Sequence, residues 1–234
     1  MNFVNKQFIK DYFKGKRVAI FGSAPSCLEN NNEYIDKFDL VIRVNNYKIK
    51  GIGFDNIAYD YTSKVGNRAD VHYSFYGSSI LKTAKDLFRD GVKLCMCKCP
   101  NEFLFNHDVQ WDPKNMGSDF RPLYRRKKDF WFCDTYIPTK EDFMEYFHSL
   151  RGHMPTTGYA CILDLVQCEP KELYITGFDG FKCGKHNVDE GWRDKRGRED
   201  PICHMPEAEI HYIKALQYYY DFIKLDRSLS EGTI

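Results

Sequence analysis

Two short segments that follow apolar runs carry residues that could bind a nucleotide. Residues 22–26 (GSAPS) are small, which lets backbone amides approach a phosphate or a ribose closely. Residues 43–46 (RVNN) offer an arginine and two amides that could orient a base, a ribose or a phosphate. Ordinary turns have similar compositions, and neither segment contains the complete Rossmann glycine series or the Gly-Lys-Ser of a P-loop. Each segment alone therefore leaves nucleotide binding and a simple turn open.

Two further segments place hydroxyls and a histidine beside predicted helix starts. In residues 155–158 (PTTG), Thr157 could cap the helix, and two hydroxyls beside free helix N–H groups could also bind an anion or a ribose. His204 precedes the last predicted helix, with four residues between it and Glu209. A neutral histidine can take a proton from a hydroxyl nucleophile. The alternative is a surface histidine without a chemical role.

These segments need a frame of strands and helices that brings them together. Apolar runs predict strands at 17–22, 38–44, 69–76, 92–97 and 171–176, and helical spacing of apolar residues predicts helices at 79–90, 140–150, 157–166 and 207–225. This alternation predicts the α/β class: a single Rossmann-like three-layer domain over residues 1–234, with a mostly parallel sheet. Ligands bind such sheets at the carboxyl ends of the strands, which is where residues 22–26 and 43–46 lie.

Periodicity fails at two places in the chain. Residues 100–138 are interpreted as an irregular insertion, either a functional lid or binding loop or a stretch whose helices and strands are poorly marked. Trp111, Tyr124, Trp131 and Tyr136 lie in this insertion, where they could stack on sugar rings or close a core. The polar tail, about residues 227–234, is expected to fray.

Composition excludes several classes of protein. The 234 residues carry 34 Lys and Arg against 33 Asp and Glu, a net charge of +1, so no excess of basic residues favours nucleic acid as a partner. The longest apolar runs are far shorter than the roughly 20 residues that span a bilayer. We therefore expect no transmembrane segment, although peripheral membrane contact stays open.

The cysteines indicate a reducing compartment. Their number, nine, is odd, and they are spread through apolar segments, which favours free thiols and a cytoplasmic location. Cys95, Cys97 and Cys99 alternate with other residues. Zinc ligands usually stand two to four residues apart, so this alternation favours one face of a strand. No metal site is expected.

Taken in order, the chemistry-bearing segments resemble the motifs of the sialyltransferases. Residues 20–46 resemble the large sialylmotif, in which a strand leads to Gly-Asn-Gly-Pro/Gly-Ser and later to Arg-x-Asn, and residues 65–76 continue it with the Gly-x-Arg/Lys element. Residues 155–179 resemble the small sialylmotif: Pro-Ser/Thr-Thr/Ser-Gly, an apolar helix, then a strand ending in Gly-Phe-Asp/Gly. His204 and Glu209 match the very small motif, His-x-x-x-x-Glu.

The resemblance is to glycosyltransferase family 29, with similarity also to the bacterial family 42 sialyltransferases. It implies a sialyltransferase-type variant of the GT-A fold and an inverting enzyme. That enzyme would move sialic acid or a related 3-deoxy-ulosonic acid from a CMP-sugar to a hydroxyl of a glycan or glycolipid. It implies no cofactor and no metal, with the CMP-sugar as donor substrate. The chain contains no Asp-x-Asp, the usual metal-diphosphate clamp of other transferases with related folds, which agrees with a donor that has one phosphate.

The resemblance also implies roles for individual residues. His204 would be the base that deprotonates the acceptor hydroxyl, and we expect its pKa at the usual value of about 6 to 7. His186 would contact the phosphate. The other donor-binding residues would be Gly22, Ser23, Ala24 and Asn45 for the CMP phosphate and nucleoside, Thr156, Thr157 and Gly158 for the ribose or phosphate, and Gly177, Phe178 and Asp179 for the cytosine.

The chain departs from the family pattern at several positions. Ser23 replaces the asparagine of the first loop, and Phe181 stands where a bacterial relative has a phosphate-binding tyrosine. Cys168 matches the cysteine of the small motif, but the partner position near Val18 is not a cysteine, so the family disulfide cannot form. The Golgi-type anchor and stem of animal members are also absent from the sequence. The first two departures weaken the phosphate contacts that the resemblance implies, and the missing disulfide agrees with a cytoplasmic enzyme.

A binding module without catalytic activity is the alternative hypothesis. Such a module would bind a nucleotide or a nucleic acid, using the basic cluster at residues 125–128. The same cluster is also typical of a solvated loop face.

Overall fold

The computed structural model describes residues 2–52, 58–76, 82–100, 132–180 and 204–231. The strands of this part are β1 (Asn2–Val4), β2 (Arg17–Phe21), β3 (Leu40–Val44), β4 (Lys50–Ile52), β5 (Ala58–Asp60), β6 (Val71–Ser74), β7 (Leu94–Cys97), β8 (Asp134–Tyr136), β9 (Glu172–Thr176) and β10 (Ile223–Leu225). The helices are α1 (Lys6–Phe13), α2 (Asn32–Ile35), α3 (Thr62–Val65), α4 (Ala84–Arg89), α5 (Lys140–Ser149), α6 (Thr157–Val166), α7 (Pro206–Tyr219) and α8 (Arg227–Glu231), with a 3-10 turn at Pro25–Glu29.

Eight of these strands form one sheet in the order β1-β8-β7-β6-β3-β2-β9-β10. Every neighbouring pair in this sheet is parallel, whereas β4 and β5 form a separate antiparallel pair. All four residues of β6 are buried, as are all four of β7. Because successive side chains point to opposite faces, both faces of the sheet are covered. The predicted three-layer α/β architecture with a mostly parallel sheet is confirmed.

The strand order creates a crevice between β2 and β9. From β2 the chain moves outward through β3, β6, β7 and β8, and it then returns to place β9 on the other side of β2. The connections of these two strands therefore leave in opposite directions. This arrangement opens a crevice at the carboxyl ends of β2 and β9, which is where open α/β sheets bind ligands.

Side-chain caps set where several helices begin. Thr83 and Asp86 form a reciprocal capping box at α4, and Thr139 and Asp142 form one at α5. The predicted helix over 79–90 therefore begins at Ala84; residues 77–81 lie outside the described residues. The predicted α6, in contrast, matches the structure at both ends.

The end of the chain differs from the sequence-based expectation. The predicted helix 207–225 ends at Tyr219, and Ile223–Leu225 form β10, which pairs with β9. The expectation was wrong because Ile223 fits helical spacing while also lying on the buried side of a short strand. The tail is helical rather than frayed at α8, where Leu229 is buried.

The sequence analysis missed β1, at one edge of the sheet, and β8, which lies between β1 and β7. β1 and β8 have three residues each and pair with one another. β8 falls inside the predicted irregular insertion, so that interpretation was wrong for residues 134–136. Strands of three residues are too short to show a hydrophobic period.

Candidate active site

Two glycines bring the loops after β2 and β9 into backbone contact. The Gly22 amide donates to the Thr176 carbonyl at 2.8 Å, and the Ala24 amide donates to the Gly177 carbonyl at 2.9 Å. A Cβ on Gly22 would lie 2.2 Å from the Gly177 oxygen, and Gly177 itself has a φ of 77°. Neither position can therefore accept a larger side chain without movement of the backbone. The structure places Gly22 and Gly177, both predicted to bind the donor substrate, at the β2/β9 crevice.

Phe178 joins this crevice to the start of α6. An ideal Cβ on Gly158 would lie 2.1 Å from Cε1 of Phe178, and one on Gly22 would lie 3.1 Å from its Cδ1. The aromatic ring thus occupies the space that both glycines leave open. This contact brings residues from the first and third sequence segments to one place.

Asp226 fixes the loop after β9 from the carboxyl-terminal side. Its Oδ2 accepts hydrogen bonds from the Thr176 hydroxyl at 2.7 Å and the Gly177 amide at 3.1 Å. Its Oδ1 accepts from the Ser228 hydroxyl and the Leu229 amide, which caps α8. The sequence analysis missed this residue. An aspartate before Arg-Ser-Leu fits a helix cap, but the sequence does not reveal its contact with Gly177.

The cap of α6 is Thr156 rather than Thr157. The Thr156 hydroxyl accepts from the Tyr159 amide at 3.2 Å, and Thr157 is already the first helical residue, buried at 7% exposure. The expected capping role of Thr157 is therefore wrong. Thr156 has the extended backbone that a cap needs, with ψ near 160°.

His204 is oriented by a backbone carbonyl. Its Nδ1 lies 2.7 Å from the Met154 oxygen, and because a carbonyl can only accept, Nδ1 carries the proton. Burial, together with the positive charge of Lys98, lowers the pKa of His204 to about 4, against the raising effect of the Met154 hydrogen bond. The imidazole is therefore neutral at pH 7, with its lone pair on Nε2. In the protein without donor this pKa lies below the usual imidazole value of about 6 to 7, because the ring is half-buried rather than on an open loop.

Glu209 binds the residue that caps α6. It is 4% exposed, and it accepts from the Thr156 amide at 2.6 Å and from the Thr156 hydroxyl at 2.5 Å. Burial raises the pKa of Glu209 to about 7, although the hydrogen bonds from Thr156 and the charge of Lys98 both lower it. The site thus contains a carboxyl group that titrates near neutral pH.

Lys98 is a buried cation beside these groups that the sequence analysis did not select. It directly follows β7, is 5% exposed, and donates from Nζ to the Pro155 carbonyl at 2.5 Å. The sequence signal was a lone lysine among buried thiols (CMCKC), interpreted there only as part of a strand face. Cys95 and Cys97 do share a face of β7, since they are two residues apart on one strand.

Asn45 follows β3 in the left-handed region, with a φ of 52°. Its backbone amide donates to Tyr73, and its carbonyl accepts from Nε2 of His72 at 2.8 Å. Its side-chain oxygen accepts from the Ser74 hydroxyl at 3.2 Å. These contacts leave the amide NH₂ of Asn45 as the group that can donate to a ligand.

Arg43 does not take part in binding at this edge of the sheet. It is buried at 1% exposure, donates to the carbonyls of Val65 and Arg68, and stacks over Phe21. Its guanidinium satisfies the carbonyls of a turn inside the protein, so the two amides are the remaining ligand-orienting groups of residues 43–46.

Of the other residues selected from the sequence, some lie at the crevice or in the core, and the rest lie outside the described residues. Ser23 and Asp179 are half-buried beside the crevice glycines, whereas Ala24 is buried. Tyr136 is 3% exposed on β8, so it belongs to the core rather than to a sugar-stacking surface. His186, Phe181, Trp111, Tyr124, Trp131 and the basic cluster 125–128 lie outside the described residues.

The described residues contain neither a cluster of metal-ligating side chains nor a membrane-spanning helix. Within residues 2–52, 58–76, 82–100, 132–180 and 204–231, no group of three or more His, Cys, Asp and Glu side chains could hold a metal ion. Over the same ranges, no helix has the length and apolar character needed to cross a membrane.

The fold is similar to that of solved sialyltransferases. No protein-family model matches the chain, and no curated protein matches it. The sialyltransferase CstII from Campylobacter jejuni in complex with cytidine-5'-monophosphate is 17% identical, with a TM-score of 0.55 over 91% of this chain and 80% of that chain. CstII in complex with CMP-3FNeuAc is 14% identical, with a TM-score of 0.56 over 90% and 81% of the two chains. The alpha-2,3-sialyltransferase Cst-I from the same organism is 18% identical, with a TM-score of 0.55 over 96% and 78%.

These likenesses concern architecture. Membership of glycosyltransferase family 29, and the similarity to the bacterial family 42, stay predictions. At identities of 14 to 18%, the conclusion is that the chain has the fold of these Campylobacter sialyltransferases.

Proposed function

We propose that this protein is a glycosyltransferase that moves sialic acid, or a related 3-deoxy-ulosonic acid, from a CMP-sugar to a hydroxyl of a glycan or glycolipid. Two observations support the donor-binding part of the proposal. The fold is that of sialyltransferases whose structures contain CMP or CMP-3FNeuAc. In addition, the glycines of the predicted motifs meet around Phe178 at the β2/β9 crevice, the place where this type of sheet binds ligands.

The geometry of His204 is the observation that carries the proposal. The Met154 carbonyl keeps the proton on Nδ1, so Nε2 is available to accept one. A backbone carbonyl that fixes the tautomer of an imidazole is a common arrangement for a general base. His204 is therefore the residue that we assign to deprotonate the acceptor hydroxyl.

In the proposed reaction the acceptor oxygen attacks the anomeric carbon of the donor while Nε2 of His204 takes its proton. The bond from that carbon to the phosphate oxygen of CMP breaks, and the configuration inverts. Negative charge collects on departing CMP, where fixed donors stabilise it. Backbone amides of the loop at Gly22 and the side-chain NH₂ of Asn45 are the donors that we expect to act there, and the loop at Gly177 would take the cytosine.

The pKa of His204 fits this role once the donor is bound. A group with a pKa of about 4 is a weak base, since catalysis is most effective when the pKa of the base lies near the working pH. A CMP-sialic acid brings a phosphodiester and a carboxylate, and nearby negative charge favours the protonated imidazole. Donor binding should therefore raise the pKa of His204 toward neutral pH.

We also propose that the reaction needs no divalent metal. The donor carries a single phosphate, and the sequence has no Asp-x-Asp with which to clamp a metal on a diphosphate. Turnover that is unchanged by EDTA would support this part of the proposal.

A mass-spectrometric assay tests the proposed function directly. Purified protein is incubated with a panel of CMP-sugars, with and without mixed glycan acceptors, and released CMP is measured. We expect release from CMP-sialic acid or a CMP-3-deoxy-octulosonate that increases with acceptor. His204→Ala should reduce it about 100-fold or more, whereas His211→Ala, an exposed histidine on α7, should leave it unchanged.

Calorimetry distinguishes the transferase from the alternative binding module. The titrants are CMP, UDP, GDP and a single-stranded oligonucleotide. Tighter binding of CMP than of the others is expected. Preference for UDP or for the oligonucleotide would contradict the proposal and favour the module that uses residues 125–128.

A further inference from the structure

Three consecutive residues before α6 are each held by a side chain from elsewhere in the fold. His204 donates to the Met154 carbonyl at 2.7 Å, and Lys98 donates to the Pro155 carbonyl at 2.5 Å. Glu209 accepts from the Thr156 amide at 2.6 Å. This stretch, the 154–156 segment, lies outside any helix or strand, so these contacts take the place of a backbone ladder.

Lys98 differs from the other two because it reaches the segment from the sheet. His204, two residues before α7, and Glu209, in its first turn, both reach the segment from the start of α7. Lys98 instead follows β7, and its amide donates to the Ser74 carbonyl of β6 at 2.9 Å. The segment is therefore held between the carboxyl end of β7 and the start of α7. Without Lys98, both remaining contacts would come from the same element.

Burying this ammonium group is costly, which argues that its position matters. A lysine at 5% exposure loses most of its hydration, and the Pro155 carbonyl that accepts from it is uncharged. A methionine or leucine would fill a similar volume without this desolvation cost. The hydrogen bond to the Pro155 carbonyl is one that an apolar residue could not make.

We propose that Lys98 is a positioning residue of the active site: by holding the Pro155 carbonyl, it fixes the segment from which His204 takes its orientation. The inference rests on the proposed function, since it assigns Lys98 to the transfer step. Lys98 acts through Pro155 and Met154 on His204, and no contact between Lys98 and the substrates is required.

The charge of Lys98 provides a way to observe this arrangement. Burial and Lys98 are the influences that lower the pKa of His204, against the Met154 hydrogen bond. On Glu209, which faces the same segment from α7, burial raises the pKa while Thr156 and Lys98 lower it. Removing the ammonium should therefore raise the pKa of His204 and loosen its contact with Met154.

The test compares Lys98→Met with Lys93→Met in the full-length protein. Lys93 is exposed just before β7, so the control makes the same substitution near the opposite end of the same strand. NMR of ring-labelled histidine gives the pKa and tautomer of His204. In Lys98→Met we expect the pKa to rise by about one unit and the Nδ1–H tautomer to lose population. Both should stay unchanged in Lys93→Met.

Kinetics and CMP affinity complete the test. In Lys98→Met, kcat should fall about tenfold or more while the dissociation constant of CMP changes by less than about threefold, because positioning acts mainly on the transition state. Lys98→Arg, which keeps a cationic donor, should recover part of kcat. An unchanged His204 titration, or a loss of CMP affinity as large as the loss of kcat, would overturn the inference.

Two further results keep the inference separate from the proposed function and from folding. If wild-type protein releases no CMP from any donor, the proposed function fails, while the NMR comparison still decides whether Lys98 controls His204. If Lys98→Met does not fold, Lys98→Gln, which keeps a neutral donor, replaces it in the NMR comparison: a raised His204 pKa with less of the Nδ1–H tautomer supports the inference, and an unchanged His204 titration overturns it.

Discussion

Glu209 accepts both hydrogen-bonding groups of Thr156, the amide at 2.6 Å and the hydroxyl at 2.5 Å. The same hydroxyl accepts from the Tyr159 amide, so one carboxylate links the cap of α6 to the first turn of α7. His204 holds Met154, two residues before Thr156. The spacing of His204 and Glu209 thus lets their side chains contact two residues of the same short segment. This is a physical reason for the His-x-x-x-x-Glu motif.

Loss of the Glu209 side chain should destabilise the protein. Glu209→Ala leaves the partly buried Thr156 amide without its acceptor, which costs about 1 to 3 kcal/mol of unfolding free energy. Glu207→Ala, an exposed residue in the same first turn of α7, should change it by less than about 0.5 kcal/mol. Urea denaturation of both variants measures the difference, and equal effects would show that the contact to Thr156 is unimportant.

The raised pKa of Glu209 predicts a pH dependence of stability. Burial raises this pKa from 4.5 to about 7, so the folded protein binds the proton more tightly than the unfolded chain. The contribution is fully present below about pH 4.5 and is lost as pH rises through about 7. Relative to Glu209→Gln, which cannot ionise, wild-type stability should therefore fall between about pH 5 and 8. A constant difference across that range would contradict the raised pKa.

Much of the sheet could be predicted from the sequence because its inner strands are buried on both faces. β2, β3, β7 and β9 appear as short apolar runs, and such runs bounded by turns are typical of a parallel sheet. The edge strand β10 could not be predicted in the same way. Ile223 satisfies a helical and a strand pattern equally, and its pairing with β9 is a long-range contact.

The candidate site was predictable in part for a similar reason. Gly22, Gly158 and Gly177 stand in recognisable motifs, and the structure brings them together around Phe178. Lys98 and Asp226 were missed because their importance lies in contacts with residues more than 45 positions away. No local pattern records which carbonyl or amide a buried charged side chain will meet.

Two glycine substitutions should respond differently to a second change at Phe178. Gly158→Ala directs a methyl group at the side chain of Phe178, whereas Gly22→Ala directs one at the backbone oxygen of Gly177. Each should lower the unfolding free energy by about 1 to 3 kcal/mol. Adding Phe178→Leu removes the ring atom in the first case, so it should restore stability to Gly158→Ala and leave Gly22→Ala destabilised. Equal rescue of both would show that the Gly177 backbone moves easily.

Asp226→Ala should weaken both the fold and the loop after β9. The substitution removes the acceptor for four groups, among them the buried Gly177 amide and the cap of α8. We expect a loss of about 2 kcal/mol or more in unfolding free energy and weaker CMP binding, because Gly177 is no longer held. Asp221→Ala, an exposed aspartate nearby in sequence, serves as the control and should alter neither. Unchanged CMP affinity in folded Asp226→Ala would show that the loop after β9 does not contribute to donor binding.

The pH dependence of turnover should give two different pKa values for His204. The profile of kcat/KM follows the free enzyme, and that of kcat follows the enzyme with substrate bound. Burial and Lys98 lower the pKa of His204 to about 4 in the free protein, so kcat/KM should stay constant down to about pH 5 as far as this group is concerned. The anionic donor favours the protonated ring, so the acid limb of kcat should appear at a higher pH.

Measurement of both profiles from about pH 4 to 9, with CMP release as the readout, checks this expectation. Glu209 also titrates, with a pKa of about 7, so the profiles are repeated in Glu209→Gln, where a remaining acid limb belongs to His204. His204→Ala should abolish that limb along with most of the activity. An acid limb of kcat at the same pH as that of kcat/KM would mean that the charge of the bound donor does not change the pKa of His204. The base of the reaction would then have to be sought at another residue.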